Sequence, residues 1–263
     1  MKPNYLLLAI FVVVMQCALD ASGQAIIQIV SDNGVSFFVK SDGSLWRGDF
    51  AHAMAKHKER MKLIMNEAKQ HPQSTLEKLR EEGKSINSDN FEPVDLIVSN
   101  GVTAVAMNIQ GDTFFIKDDG SLWAMGNNQG GYLGDGTFDT PDHPIQIVSS
   151  GVKAVVCGEA FTIFLKDDGS VWGFGWSGDG ELGIENNSVM KPKKIITGEV
   201  VSIAAGYLHS LFIKSDGSLW GMGNNGYGQL GLGTNINHIL QPAEIVASNV
   251  VSIAASHNHS LFI

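Results

Sequence analysis

Arginine is almost missing from this chain of 263 residues: Arg47, Arg60 and Arg80 are the only three, and none follows residue 80. Charged residues make up 17% and aromatics 8%. From residue 94 onward seven Lys face sixteen Asp and Glu, so the net charge of −9 belongs to that part. A nucleic-acid backbone is gripped through a basic footprint, and this acidic surplus speaks against DNA or RNA as a partner. Sites that clamp a substrate carboxylate with several guanidinium forks are disfavoured for the same reason, since Lys does not reproduce that geometry. Cysteine is nearly absent too. Cys17 lies in an apolar N-terminal stretch, which leaves Cys157 without a partner, so no disulfide framework and no Cys/His zinc spacing can be drawn. Neither a metal nor a cofactor is expected.

Long apolar runs are also lacking. Leu6 to Met15 is unbroken, and Cys17 to Leu19 extends it to about fourteen residues, short of the roughly 20 that a bilayer-spanning helix needs. With Lys2 ahead of it and the small residues Ala21-Ser22-Gly23 behind, the stretch 1–23 reads as a secretory signal. A secreted, periplasmic or cell-surface protein with no stable membrane span after cleavage is the expectation.

Glycine is what the chain has in excess: 30 residues, 25 of them in 94–263, without a three-residue period. With 44% apolar residues this excludes collagen and disorder and points to many tight turns. A repeat explains them. Lys-Ser-Asp-Gly-Ser-Leu-Trp stands at 40–46 and 214–220, with variants at 117–123 and 166–172. Gly126, Gly175 and Gly223 keep the same step, as do Leu133-Gly134, Leu182-Gly183 and Leu230-Gly231, and Pro144, Pro192 and Pro242. In the fourth copy, 200–205 and 210–214 read as strands, Asp216-Gly217 as a two-residue hairpin turn with both residues at positive φ, 218–222 as a third strand, and Ile245-Val246 as part of a fourth. Four strands in about 50 residues is the size of a propeller blade. The fold expected is therefore all-β: a β-propeller of four-stranded blades. The first repeat begins at 24–46, and repeats two to five occupy 94–263. Residues 47–92 break the period. Phe50, Met54, Met61, Ile64, Met65 and Ala68 fall at helical spacing, and Ser74 with Glu77 resembles a capping box, so a helical insertion in the first blade is expected there.

These repeats resemble the regulator of chromosome condensation repeat family. The likeness is carried by Val-Val-Ser-Ile-Ala-Ala-Gly-Tyr-Leu-His-Ser-Leu (200–211), Asp-Gly-Ser-Leu-Trp-Gly-Met-Gly (216–223) and Gly-Gln-Leu-Gly-Leu-Gly-Thr (228–234). It covers about residues 26–46 and 94–263, and the chain resembles the secreted bacterial members of the family. The resemblance implies a propeller, usually of seven blades. The fifth copy stops at Ile263, one residue before the Lys that opens its hairpin. An arc of about four and a half blades, part of a larger ring, is therefore expected.

No catalytic constellation emerges. His209 and His259 share a register, but the matching positions are Val35, Asp112 and Phe161, so a structural role bonding a neighbouring strand is expected for the rings. Asp42, Asp119, Asp168 and Asp216 read as turn formers. A sialidase-type Asp-box would need Asp and Gly separated and a Thr before Trp, and neither condition holds. What remains is a binding surface. Blade loops gather on the faces of a propeller, and aromatics there are common anchors. Trp176, Tyr132 and Tyr227 are the candidate binding residues, whereas Trp46, Trp123, Trp172 and Trp220 read as core. The function expected is a non-enzymatic module that binds another protein through its loop face. The alternative is a carbohydrate-binding or hydrolytic surface propeller.

Overall fold

The computed structural model describes residues 26–32, 35–48, 95–184, 188–233 and 236–263. All regular elements among them are β-strands, and none is a helix. They are β1 (Ile26–Asp32), β2 (Val35–Lys40), β3 (Leu45–Gly48), β4 (Asp95–Val98), β5 (Val102–Met107), β6 (Thr113–Lys117), β7 (Leu122–Met125), β8 (Ile145–Val148) and β9 (Val152–Cys157). There follow β10 (Phe161–Lys166), β11 (Val171–Trp176), β12 (Ser188–Ile196), β13 (Val200–Ala205), β14 (His209–Lys214), β15 (Leu219–Asn224), β16 (His238–Val246), β17 (Ile253–Ser256) and β18 (His259–Phe262). They form four sheets of four strands in simple order, β1 to β4, β5 to β8, β9 to β12 and β13 to β16, and one pair, β17 with β18. These are the expected blades. The chain divides into two compact units, 1–105 and 106–263.

The second strand of each blade is buried along most of its length. Phe161 to Leu165 in β10 and His209 to Ile213 in β14 are all buried. A central strand covered on both faces accepts a continuous apolar run, while the fourth strands β12 and β16 are exposed or half-buried except at Val189. In the second unit, aromatic rings join consecutive blades: Phe174 lies 5.6 Å from Phe114 and 6.2 Å from Phe164. Each such ring contributes roughly 1.5–3 kcal/mol through burial.

The hairpin between second and third strands differs from the two-residue turn read from Asp-Gly. Gly43 N–H donates to Lys40 O at 2.9 Å, and Lys40 N–H donates to Ser44 O at 3.0 Å. Gly43 has φ +77°, and among the described residues only Glu199 and Asn249 are non-glycines with positive φ. Each hairpin is thus a type I turn closed by a left-handed glycine, the three-residue loop with a G1 bulge. Asp serves through its side chain. Asp216 Oδ1 accepts Ser218 N–H at 2.9 Å and Ser218 Oγ–H at 2.6 Å, and Trp220 Nε1–H donates to Ser218 Oγ at 2.9 Å. The same chain of bonds occurs at Asp42, Asp119 and Asp168. The Ser hydroxyl holds each Asp carboxyl below its ordinary range. The repeated Trp residues are half-buried rather than core, because each carries a Lys ammonium 4.1 to 4.8 Å above its ring at Trp46, Trp123 and Trp220, and 5.5 Å above Trp172.

The hairpin glycine also makes the joint to the following blade. Its carbonyl accepts an N–H from the first strand of that blade: Val102 to Gly43 at 2.8 Å, Val152 to Gly120 at 2.9 Å, Val200 to Gly169 at 3.1 Å and Val250 to Gly217 at 3.0 Å. A Cβ on Gly120 would lie 2.8 Å from Gly151 N, so glycine is required there by φ and by close approach together.

The helical insertion expected at 47–92 is not supported at its start. Arg47 and Gly48 belong to β3, which pairs with β2 and β4, and the Arg47 guanidinium bonds the Asp95 carboxylate. The rest of that segment, from 49, lies outside the described residues, as does the signal at 1–23. Among the described residues no helix is long and apolar enough to cross a membrane.

Candidate functional site

Antiparallel order sorts the connections of each blade to two ends. The hairpins and the links to the next blade share one end, where the joints are. At the other end lie the turn between the first two strands and the glycine-rich loop between the third and fourth. Backbone bonds tie these together: Trp176 N–H donates to Ala160 O at 2.8 Å, and Asn224 N–H to Leu208 O at 2.7 Å. This loop end carries the chemistry.

In the second unit Glu159, Tyr207 and His257 hold the same register in three successive turns. Glu159 N–H donates to Tyr207 O at 2.8 Å and Tyr207 N–H to His257 O at 2.9 Å. The Tyr207 hydroxyl donates to Glu159 Oε1 at 2.5 Å, which holds its pKa above the ordinary value. The Tyr207 ring stacks on His257 with centroids 4.4 Å apart and 11° between planes. A carboxylate, a phenol and an imidazole thus stand in one row.

A second group comes from the loop after β11. Asp179 Oδ1 accepts Asn224 Nδ2–H at 3.0 Å and meets His238 Nδ1 at 2.8 Å. Glu181 is fully buried; its Oε2 accepts Asp179 N–H at 3.0 Å, and its Oε1 has no partner among the described residues. Burial pushes Glu181 up to about 7, and the charges of Asp179 and Glu159 act in the same direction. In the next copy that position is Gln229, which accepts Tyr227 N–H through Oε1 and donates to Asn224 Oδ1 through Nε2.

The aromatics picked out from the sequence fare differently. Trp176 is half-buried over Gly178, where a Cβ would lie 2.5 Å from Trp176 Cζ2. Tyr132 folds over Gly130 in the same manner, with Cε2 at 2.2 Å from such a Cβ. Tyr227 stands 80% exposed. His209 has the structural role expected of it: it is buried on β14, and Nε2 bonds Ser260 Oγ of β18 at 2.9 Å. Burial pushes its pKa down to about 4, which keeps the ring neutral near neutral pH. Cys157 is a free thiol that burial pushes up to about 12. Among the described residues no three His, Cys, Asp or Glu side chains are placed to hold a metal ion.

The Regulator of chromosome condensation (RCC1) repeat matches residues 119–165, 168–213 and 216–263, more than half of the chain. The chain belongs to the regulator of chromosome condensation repeat family. A second form of the RCC1 repeat matches 152–181 and 200–229, and the described blades agree with the likeness read from the sequence. Among solved structures, the chain is similar to human WBSCR16, with 20% identity and a TM-score of 0.63 over 89% of this chain and 58% of that one. It is similar also to yeast RCC1 (Prp20) bound to Kap60, with 18% identity and a TM-score of 0.64 over 92% and 55%. Prp20p of Saccharomyces cerevisiae, described with its binding properties to Gsp1p and histones, gives 18% and 0.63 over 92% and 57%. At these identities the likeness shows the RCC1 propeller fold. The chain spans somewhat over half the length of these proteins. No curated protein matches it.

Proposed function

We propose that this chain is a secreted or periplasmic, non-enzymatic RCC1-repeat module that binds another protein at the loop end of its blades. The observation that carries the reading is the row of Glu159, Tyr207 and His257 with its stacked rings. An aromatic face beside carboxylates suits a Lys or Arg side chain, which gains from the ring and from the charge. Asp179 adds a further carboxylate, and Tyr227, with 80% of its surface free, offers an anchor of the type that dominates interface energetics. The charge of −9 on residues 94–263 favours encounter with a basic surface. The partner class is therefore a protein with a basic contact face, a class to which the histones bound by Prp20p belong. Trp176, engaged with Gly178, offers a poorer platform for sugar stacking than the alternative reading needs.

Binding is tested by titrating purified core histones, as a basic probe, into the full chain at two salt concentrations. Glu159→Gln and Tyr227→Ala should each weaken binding while leaving thermal stability unchanged, and salt should weaken the wild type. Wild-type binding that neither variant nor salt changes refutes the reading. The proposed export rests on Lys2, the run Leu6 to Met15 and Ala21-Ser22-Gly23. N-terminal sequencing of exported protein should begin near residue 24, and a chain that retains Met1 contradicts it.

A further inference from the structure

Lysine is distributed unevenly among the blades. Of the seven Lys that follow residue 93, five stand in the third blade, and Lys191, Lys193 and Lys194 are all in its fourth strand, β12. These three are exposed, and among the described residues neither they nor Lys166 forms an ion pair. The fold does not call for them. The residue paired with the repeated Trp is Leu96 in the first blade, Gln146 in the second, Lys194 in the third and Glu244 in the fourth, so the position accepts either charge or none. Lysine is also a common guard against unwanted pairing at a sheet edge. That role does not account for it here, because β4, β8 and β16 end their sheets as β12 does and hold no lysine.

Two of the charges converge on one ring. Lys166 and Lys194 stand 5.5 and 5.2 Å from the centroid of Trp172, whereas Trp46, Trp123 and Trp220 each carry one ammonium at 4.1 to 4.8 Å. Like charges above one indole repel, and both stand farther out than the lone ones. Asp168, whose carboxyl is held low by Ser170 and then by these two lysines, lies near them. Its Oδ1 already accepts Ser170 N–H at 2.9 Å and Ser170 Oγ–H at 2.5 Å. A further anion brought to this face would meet two ammoniums that no carboxylate contacts.

The lysines form a line and not a pocket. Lys191 to Lys194 covers about 10 Å of extended chain, more than one small anion can meet. β12 pairs with β11 on one side and, among the described residues, with no strand on the other. Its first half lies against the glycine-rich loop of the second blade: a Cβ on Gly131 would meet Met190 at 3.3 Å, and one on Gly136 would meet Lys191 Cε at 2.1 Å. Pro192 has no N–H to offer. Residues 193–196 therefore keep a free edge beside the charges. Lys193 and Lys194 face opposite sides of the strand, so carboxylates of an added strand find a cation on either face. We propose that the outer edge of β12 at 193–196, with Lys193 on one face and Lys194 and Lys166 at Trp172 on the other, is a docking site for an acidic, extended segment of another polypeptide, added as a strand. Main-chain bonds along the edge supply affinity, and the lysines select the charge. The third blade stands between two four-stranded ones, and its outer edge lies apart from the row Glu159, Tyr207 and His257 and does not depend on it.

The test uses the full chain and a rhodamine-labelled peptide, Glu-Val-Glu-Val-Glu-Val-Glu, followed by anisotropy. Saturable binding is expected, weakened by salt, with new hydrogen-exchange protection confined to β12 at 193–196. Lys194→Glu, which copies the residue of the fourth blade, should weaken binding at least about tenfold, and a peptide with Gln for every Glu should lose as much. Lys214→Gln, which removes the lone ammonium over Trp220, should leave binding unchanged. Absence of binding, equal binding by Lys194→Glu or by the Gln peptide, or protection elsewhere overturns the proposal. Dextran sulfate that displaces the peptide and binds these lysines without protecting the main chain of β12 overturns it too, in favour of an anionic polysaccharide.

Discussion

Replacing Glu181 by Gln tests whether the buried carboxyl at the loop end carries the electrostatic cost that its surroundings imply. Its ordinary value of 4.5 is pushed to about 7, chiefly by burial. At 1.36 kcal/mol per pKa unit the gap corresponds to about 3 kcal/mol. The sign follows from linkage: as pH rises above 4.5 the unfolded chain gives up this proton first, so stability falls until pH passes about 7 and stays low beyond it. Some 2 kcal/mol of that loss falls between pH 5 and pH 8. An amide cannot ionise, and Gln229 occupies the matching position in the next copy without strain. The new amide protons would face the place where Oε1 finds no partner, a cost of about 1–3 kcal/mol that is the same at both pH values. The informative quantity is therefore the difference between variant and wild type at pH 8 minus that at pH 5, from urea unfolding. His209, depressed to about 4, loses stability on acidification in both proteins and cancels. Glu181→Gln should gain about 2 kcal/mol on the wild type between the two pH values. A difference independent of pH would refute the reasoning.

Three further outcomes follow from the geometry. Gly120→Ala should destabilise by about 2 kcal/mol or more in denaturant unfolding, because it adds a left-handed side chain and a contact 2.8 Å from Gly151 N. Glu199, at φ +72° where the earlier copies have Gly101 and Gly151, should do the reverse: Glu199→Gly should raise the urea midpoint, by about 0.5–1 kcal/mol in stability. Ser170→Ala removes the hydroxyl that joins Asp168 to Trp172; it should lower stability by about 1 kcal/mol and raise the Asp168 pKa, followed by carboxyl NMR titration.

The blades were legible because their makers repeat as letters. Asp-Gly-Ser followed by Trp recurs four times, since each hairpin needs the same glycine and the same Asp–Ser–Trp bonds. The turn type was misread because Asp-Gly alone resembles a two-residue hairpin; the extra residue shows only in the pairing of Lys40 with Ser44. The shared register of the Trp residues points to the core, although the Lys six residues before each one covers it from solvent's side. The loop end was harder to read. Glu159, Tyr207 and His257 share a register but not a residue type, so no repetition marks them, and only the 48- and 50-residue steps between them could have done so. Trp176 and Tyr132 drew notice as aromatics, whereas the neighbouring glycines that take up their rings were read as turn residues alone.

The joint from hairpin glycine to the next first strand has a consequence for how such chains come to vary in length. Among the described residues, copies two to four each carry both an acceptor, the glycine carbonyl, at one flank and a donor, the first-strand Val N–H, at the other. The interface is heterologous, and the same glycine-to-valine bond recurs at each of the four steps. Duplication of one 50-residue segment therefore inserts a blade with both halves of its joints already matched, and deletion of one rejoins its neighbours by the same bond. Copy number can drift by whole blades without any new contact having to evolve, while the loop at the far end of each copy is free to diverge.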